Sequence, residues 1–285
     1  MRLGINIGYR DKQGRPLDIP GIVLRARRIE DVGFDAIWQP DTLSREVQPR
    51  PDALAYLTIA AGATSRVLLG TAVYIVTFRH PLDLAQRAMT LQLLSHGRLQ
   101  LGVGAGSDAV ALELGAVAYE ERFKRLHESV AIVRALLAGE EVGDAAFHPW
   151  PEMGEPPRLL LGSWGSEISL RRAVRDYDGW ICSAGRTSLN VMKDAIARYR
   201  DKGGGRAVVA TCPVDLTAPY QPLDPDGPFH LRCPPEAAAE RLRLLVELGF
   251  DDVGLQKVDA TSKRWEADAT EEELREIRAL LPPAE

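Results

Sequence analysis

Short apolar runs alternate with longer stretches of helical period almost from one end of this chain to the other, and that order limits the folds open to it. Runs of strand length are Leu3–Ile7, Ala36–Gln39, Val67–Val73, Leu99–Val103, Arg158–Leu161, Gly179–Cys182, Ala207–Val214 and Asp252–Leu255. Between and after them, helical period marks Ile19–Val32, Pro51–Ala63, Leu82–Leu94, Glu120–Leu137, Ser166–Arg175, Ser188–Lys202, Pro235–Leu248 and Thr270–Leu281. Strands that are apolar throughout, each followed by a helix, call for a parallel sheet covered by helices. Eight such repeats are the number that closes a barrel. The expected class is α/β, a TIM (β/α)8 barrel forming a single domain over residues 1–285, with a doubly wound open sheet as the alternative.

Punctuation agrees with this division. Gly33, Gly97, Gly139 and Gly249 follow helix candidates as carboxyl-terminal stops, and Thr270 with Glu273 forms a capping box for the last helix. Two connections exceed ordinary length. Gly139–Pro157 lies after helix 4, and Thr217–Pro234, with Pro219, Pro222, Pro225, Pro228 and Pro234, lies after strand 7. The second falls on the side of the barrel where sites form, as either a lid or a rigid surface loop.

Composition enters mainly by exclusion. With 35 basic and 40 acidic residues and no basic tract, the net charge of −5 does not suit a nucleic-acid surface. No run of about 18 apolar residues offers a membrane span, and the amino terminus leads straight into a strand, so a cytoplasmic protein with a small-molecule substrate is expected. Cys182, Cys212 and Cys233 have no CxxC spacing and the histidines no ligand spacing, so no metal site is expected. The GxSxG mark of a serine hydrolase is missing as well.

Candidate chemistry collects where barrel strands end. Gly102-Val103-Gly104-Ala105-Gly106-Ser107 fails the dinucleotide fingerprint, because serine stands where the third glycine belongs and the unit is the fourth strand rather than the first. It reads either as a glycine-lined pocket floor, where a flat ring or a phosphate meets backbone amides, or as a tight turn. In Leu161-Gly162-Ser163-Trp164-Gly165-Ser166 a strand gives way to a helix start, and Ser163, Ser166 and Ser169 would suit a phosphate there or serve merely as helix caps. Asp41, after Trp38 and Pro40, is a carboxylate at the end of an apolar strand, which is costly unless paired or used.

The order of Gly33-Phe34-Asp35-Ala36-Ile37-Trp38 before Asp41, Leu69-Gly70-Thr71-Ala72-Val73 with Arg79-His80-Pro81, Leu94-Ser95-His96-Gly97-Arg98-Leu99 before Gly102–Gly106, and Asp178-Gly179-Trp180-Ile181 resembles the bacterial luciferase-like flavin monooxygenases. That family includes enzymes that use the deazaflavin coenzyme F420. The resemblance spans about residues 3 to 182.

The resemblance implies an oxidoreductase, a monooxygenase using reduced FMN and oxygen, with F420-dependent hydride transfer as the alternative and a non-catalytic flavin-binding relative as another. A nicotinamide-dependent dehydrogenase stands further off. It implies a cis peptide at Ala72-Val73 supporting the ring, with Thr71 beside it. Gly104, Ala105, Gly106 and Ser107 would line the ring and phosphate, and Gly162, Ser163, Gly165, Ser166 and Ser169 would form the phosphate loop. Asp41 and Thr42 take the catalytic positions, and a separate flavin reductase and a homodimeric partner are expected. Thr42 stands where many members carry histidine, and a threonine is no general acid near neutral pH. Either Asp41 or another group then supplies a proton, or the reaction needs none, or catalysis has been lost.

Overall fold

In the computed structural model the alternation closes into a barrel. The structure describes residues 1–11, 13–42, 50–143, 145–258 and 269–282. The barrel strands are β1 (Arg2–Ile5), β2 (Ala36–Gln39), β3 (Leu68–Thr71), β4 (Leu99–Gly104), β5 (Arg158–Gly162), β6 (Gly179–Ser183), β7 (Arg206–Asp215) and β8 (Asp252–Lys257). Each pairs in parallel with its sequence neighbour, and β8 returns to β1, so the sheet has no free edge around the lumen. The helices covering it are α1 (Ile19–Val32), α2 (Ala53–Ala63), α3 (Pro81–Leu94), α4 (Arg122–Leu137), α5 (Glu167–Asp176), α6 (Leu189–Asp201), α7 (Pro235–Glu247) and α8 (Glu271–Arg278). The closed barrel is the expected fold, and the open sheet is set aside.

Local chemistry explains most element ends. Asp18, Asp52, Ser166, Ser188 and Thr270 each cap a helix through a side-chain oxygen, and the Thr270–Glu273 capping box is complete. A short helix, Ala109–Leu114, capped by Asp108, was not legible in the apolar pattern, because only Ala111 and Leu112 of it are buried. Strand β3 stops at Thr71, and pairing resumes at Tyr74–Ile75 beside β4, leaving a bulge at Ala72-Val73.

Inside the barrel, residue size is set strand against strand. Trp38 of β2 is 2% exposed and fills the lumen. Glycines on β1, β3 and β8 make room for it: a Cβ at Gly4 would lie 2.6 Å and one at Gly254 2.9 Å from its Cδ1, and one at Gly70 would fall on the ring. Below it, Arg206 at the start of β7 holds Asp252 of β8 with two 2.8 Å bonds and donates to Gln100 Oε1 at 2.7 Å. That buried, paired plug seals the amino-terminal end.

Both insertions are tied down. The first contains the hairpin Glu141–Val142 with Ala145–Ala146, and Gln92 Nε2 donates to Glu155 O at 2.7 Å. In the second, Leu231–Arg232 pairs with the end of β7, Asn190 Nδ2 donates to Asp226 Oδ1 at 2.7 Å, and Arg241 Nη1 donates to His230 O at 3.0 Å. These bonds fasten it to α6 and α7.

Candidate functional site

The carboxyl-terminal mouth gathers strand ends that are far apart in sequence. The Ala72-Val73 peptide is cis, as the resemblance implied. Val73 reaches over both glycine loops: a Cβ at Gly104 would stand 2.5 Å from Val73 Cγ2, and one at Gly162 2.5 Å from Val73 Cγ1. Glycine at both positions is therefore what lets an apolar side chain lie in the mouth between β4 and β5. Gly106, at φ +76°, turns the β4 loop, and a Cβ there would meet Ile75 Cγ2 at 3.0 Å. Ala105 is buried and its carbonyl accepts from Thr77 Oγ1 at 3.0 Å, whereas Ser107 is exposed.

Thr71 stands apart from this group. It is fully buried and its hydroxyl donates to Gly102 O at 2.7 Å, bracing β3 against β4.

The loop after β5 keeps its hydroxyls near one another. Ser163 accepts from Trp180 Nε1 at 3.0 Å, and Ser166 Oγ lies 2.9 Å from Ser169 Oγ. Ser169 N donates to Ser166 Oγ at 3.3 Å, so the helix-cap role is realised. Gly165 is at φ +81°, where a Cβ would meet Ala195 Cβ at 2.6 Å. Ser163, Ser166 and Ser169 thus border the start of α5 on the mouth side, with Ser166 and Trp164 exposed.

Asp41 has a different setting from that of a free acid. Its side chain is 1% exposed, and Arg79 grips it with both Nη atoms, at 2.7 Å to Oδ2 and 3.1 Å to Oδ1. Ile75 N also donates to Oδ2 at 2.9 Å. Burial pushes the Asp41 carboxyl up, against the opposing pull of Arg79. Asp52, the cap of α2, accepts from Tyr74 Oη at 2.7 Å and from Arg79 Nη2 at 3.3 Å. Burial works against the ionised form of Asp52, but these donors hold its carboxyl below the usual range. Thr42 is exposed beside Asp41. Arg79 and Asp52 were not singled out as site residues from sequence; the only signal for Arg79 was its place before His80-Pro81.

A well-formed cavity lies away from the mouth. About 550 Å³ opens outside the barrel between α4 and α5, lined by His127, Arg134, Arg172 and Tyr177 among others, and its charges largely pair with one another. Among the described residues no group of three or more His, Cys, Asp or Glu is placed to hold a metal ion, and no helix is long and apolar enough to cross a membrane. Cys182, Cys212 and Cys233 are buried and free, with burial pushing the Cys182 thiol up to about 12.

Comparison with known proteins bears on this mouth. A family model described as luciferase-like monooxygenase matches residues 1–214. The protein named F420-dependent glucose-6-phosphate dehydrogenase from Amycolatopsis mediterranei is 34% identical over 234 residues, covering 75% of this chain and 67% of that protein. Among solved structures, an F420-dependent secondary alcohol dehydrogenase in complex with an F420-acetone adduct superimposes with a TM-score of 0.73 at 16% identity, covering 99% of this chain and 98% of the other. The oxygenating constituent of 3,6-diketocamphane monooxygenase from Pseudomonas putida, in complex with FMN, does so at 0.70 and 17%, covering 90% and 91%. At those identities the two structures share the fold.

Proposed function

Because this chain belongs to the luciferase-like monooxygenase family, we propose that it is an oxidoreductase that works with coenzyme F420, passing hydride between the deazaflavin and a small organic substrate. The observation that carries the choice of coenzyme is the relative named for F420, 34% identical over 75% of this chain. Reduced FMN with oxygen, the first expectation from the resemblance, becomes the second reading, supported by the shared fold of the FMN-bound monooxygenase constituent.

The residues present fit a flat ring system. Val73, between Gly104 and Gly162, offers an apolar rest where backbone rather than side chain forms the wall. In this reading Ala72 and Val73 support the ring, and Gly104, Ala105, Gly106 and Ser107 border it. Gly162, Ser163, Gly165, Ser166 and Ser169 bind a phosphate near the positive end of α5. When bound, the deazaflavin supplies the hydride chemistry, and the chain orients the reactants and excludes water. Thr42, at the rim, hydrogen-bonds a substrate oxygen without serving as an acid near neutral pH.

Titration of the purified protein with F420 and with FMN, followed by chromophore fluorescence, tests the reading. F420 is expected to bind in the micromolar range and FMN about tenfold or more weakly, a gap of at least about 1.4 kcal/mol. The reverse order restores the FMN reading. Binding of neither below about 1 mM, where the free energy is only about 4 kcal/mol, refutes both.

A further inference from the structure

The bulge that carries Val73 is fastened at every residue. Asp41 N donates to Val73 O at 3.3 Å. The Tyr74 ring lies 4.1 Å under the Arg79 guanidinium, and its hydroxyl donates to Asp52 Oδ2 at 2.7 Å. Ile75 gives its N–H to Asp41 Oδ2 at 2.9 Å, and its carbonyl accepts from Arg79 Nη1 at 2.8 Å. One guanidinium thereby joins the end of β2, the bulge after β3 and, through Asp52, the start of α2. Arg79 is 14% exposed and Asp41 1% exposed, so little water competes for these bonds.

We propose that Arg79, with Asp41 and Asp52, is a positioning group that sets Val73 against the ring, and that Asp41 is not the proton-transfer acid of this site. Both Asp41 oxygens are occupied by Arg79, and the geometry turns them toward the bulge backbone. A planar guanidinium that pairs in bidentate fashion and stacks on an aromatic ring has no substitute in lysine, whose ammonium can do neither. The inference rests on Val73 bordering the bound ring, as proposed above.

The test compares wild type with Arg79→Lys, Asp41→Asn and Tyr74→Phe in F420 and FMN titrations, well below the melting temperatures. The circular dichroism of the bound chromophore is recorded alongside. Arg79→Lys and Asp41→Asn are expected to weaken cofactor binding about tenfold or more and to alter the bound-chromophore spectrum, and Tyr74→Phe to weaken binding a few-fold. Glu30→Gln, remote from the mouth, is the control for stability loss alone and leaves both readouts at wild-type values. Wild-type affinity and spectrum in Arg79→Lys overturn the proposal; if that variant does not fold, the same result in Asp41→Asn or Tyr74→Phe does so. Asp41→Asn that binds normally but abolishes turnover overturns it in favour of a proton-transfer role. Failure of the wild type to bind either cofactor is instead the failure of the functional reading.

Discussion

Glu30 on α1 reaches across to the residues leading into β3, and replacing it with glutamine isolates one charge-assisted contact. Its carboxylate accepts from Ser65 N at 3.0 Å, Arg66 N at 2.6 Å and Val67 N at 3.0 Å. Glutamine keeps one oxygen to take the place of Oε2 beside Arg66 N and Val67 N, and sets an N–H₂ group where Oε1 had accepted from Ser65 N, so the charge is lost and donor faces donor there. Hydrogen bonds to charged groups contribute about 1.5–3 kcal/mol, and an orphaned buried donor costs about 1–3 kcal/mol. The residue is 8% exposed, so solvent relieves little of this. Glu30→Gln should therefore destabilise by about 2–3 kcal/mol, lowering Tm by about 4–10 °C in a chain of this size. Burial opposes ionisation of Glu30, yet the backbone donors of Val67, Arg66 and Ser65 hold its carboxyl below 4.5. A depressed folded-state value means that the stabilisation is fully present above the unfolded value of about 4.3 and is lost as pH falls through the folded one. Thermal melts of wild type and Glu30→Gln at pH 7, 5 and 4 read this directly: the gap is wide at pH 7 and starts to close on the acid side of the unfolded value. A gap of the same width at all three pH values, or none at pH 7, would refute the reasoning.

Three further outcomes follow from particular contacts. Gly104→Ala drives Val73 from its place, since the new Cβ stands 2.5 Å from Val73 Cγ2; cofactor affinity should fall about tenfold, and unchanged titration curves would count against the cradle. Gly70→Ala places a methyl on the Trp38 ring and should cost about 3 kcal/mol or prevent folding, a result excluded if the variant melts with the wild type. His127 is held neutral by burial and by the Arg172 charge, its pKa brought down to about 4 from 6.5, so nuclear magnetic resonance should find its ring neutral at pH 5.5. Because the unfolded chain binds that proton first, this histidine costs stability as pH falls below about 6.5, most of it by pH 4, and a measured value near 6.5 would remove that dependence.

Much of the architecture was legible because its causes are local. The period of apolar residues placed all eight strands and all eight covering helices, with Ile19–Val32 and Ala36–Gln39 matching to the residue. Periodicity failed where burial was partial, at Ala109–Leu114, and where a strand was interrupted, at Ala72-Val73. At the site, sequence picked out Asp41 through the cost of a carboxylate on an apolar strand, but not what Asp41 does. Its partner Arg79 lies 38 residues away and approaches only because β2 and β3 are neighbours in the sheet.

By itself, then, the sequence determined the order of strands and helices, their stops and caps, and the family motifs, since backbone propensity and hydrophobic period act within a few residues. Only the tertiary structure decided that Trp38 fills a lumen cleared by Gly4, Gly70 and Gly254, that Val73 rests between Gly104 and Gly162, and that Arg79 closes on Asp41 and Asp52. Those pairings join residues from separate strands and loops, and their geometry exists only once the barrel has brought the strand ends to one mouth.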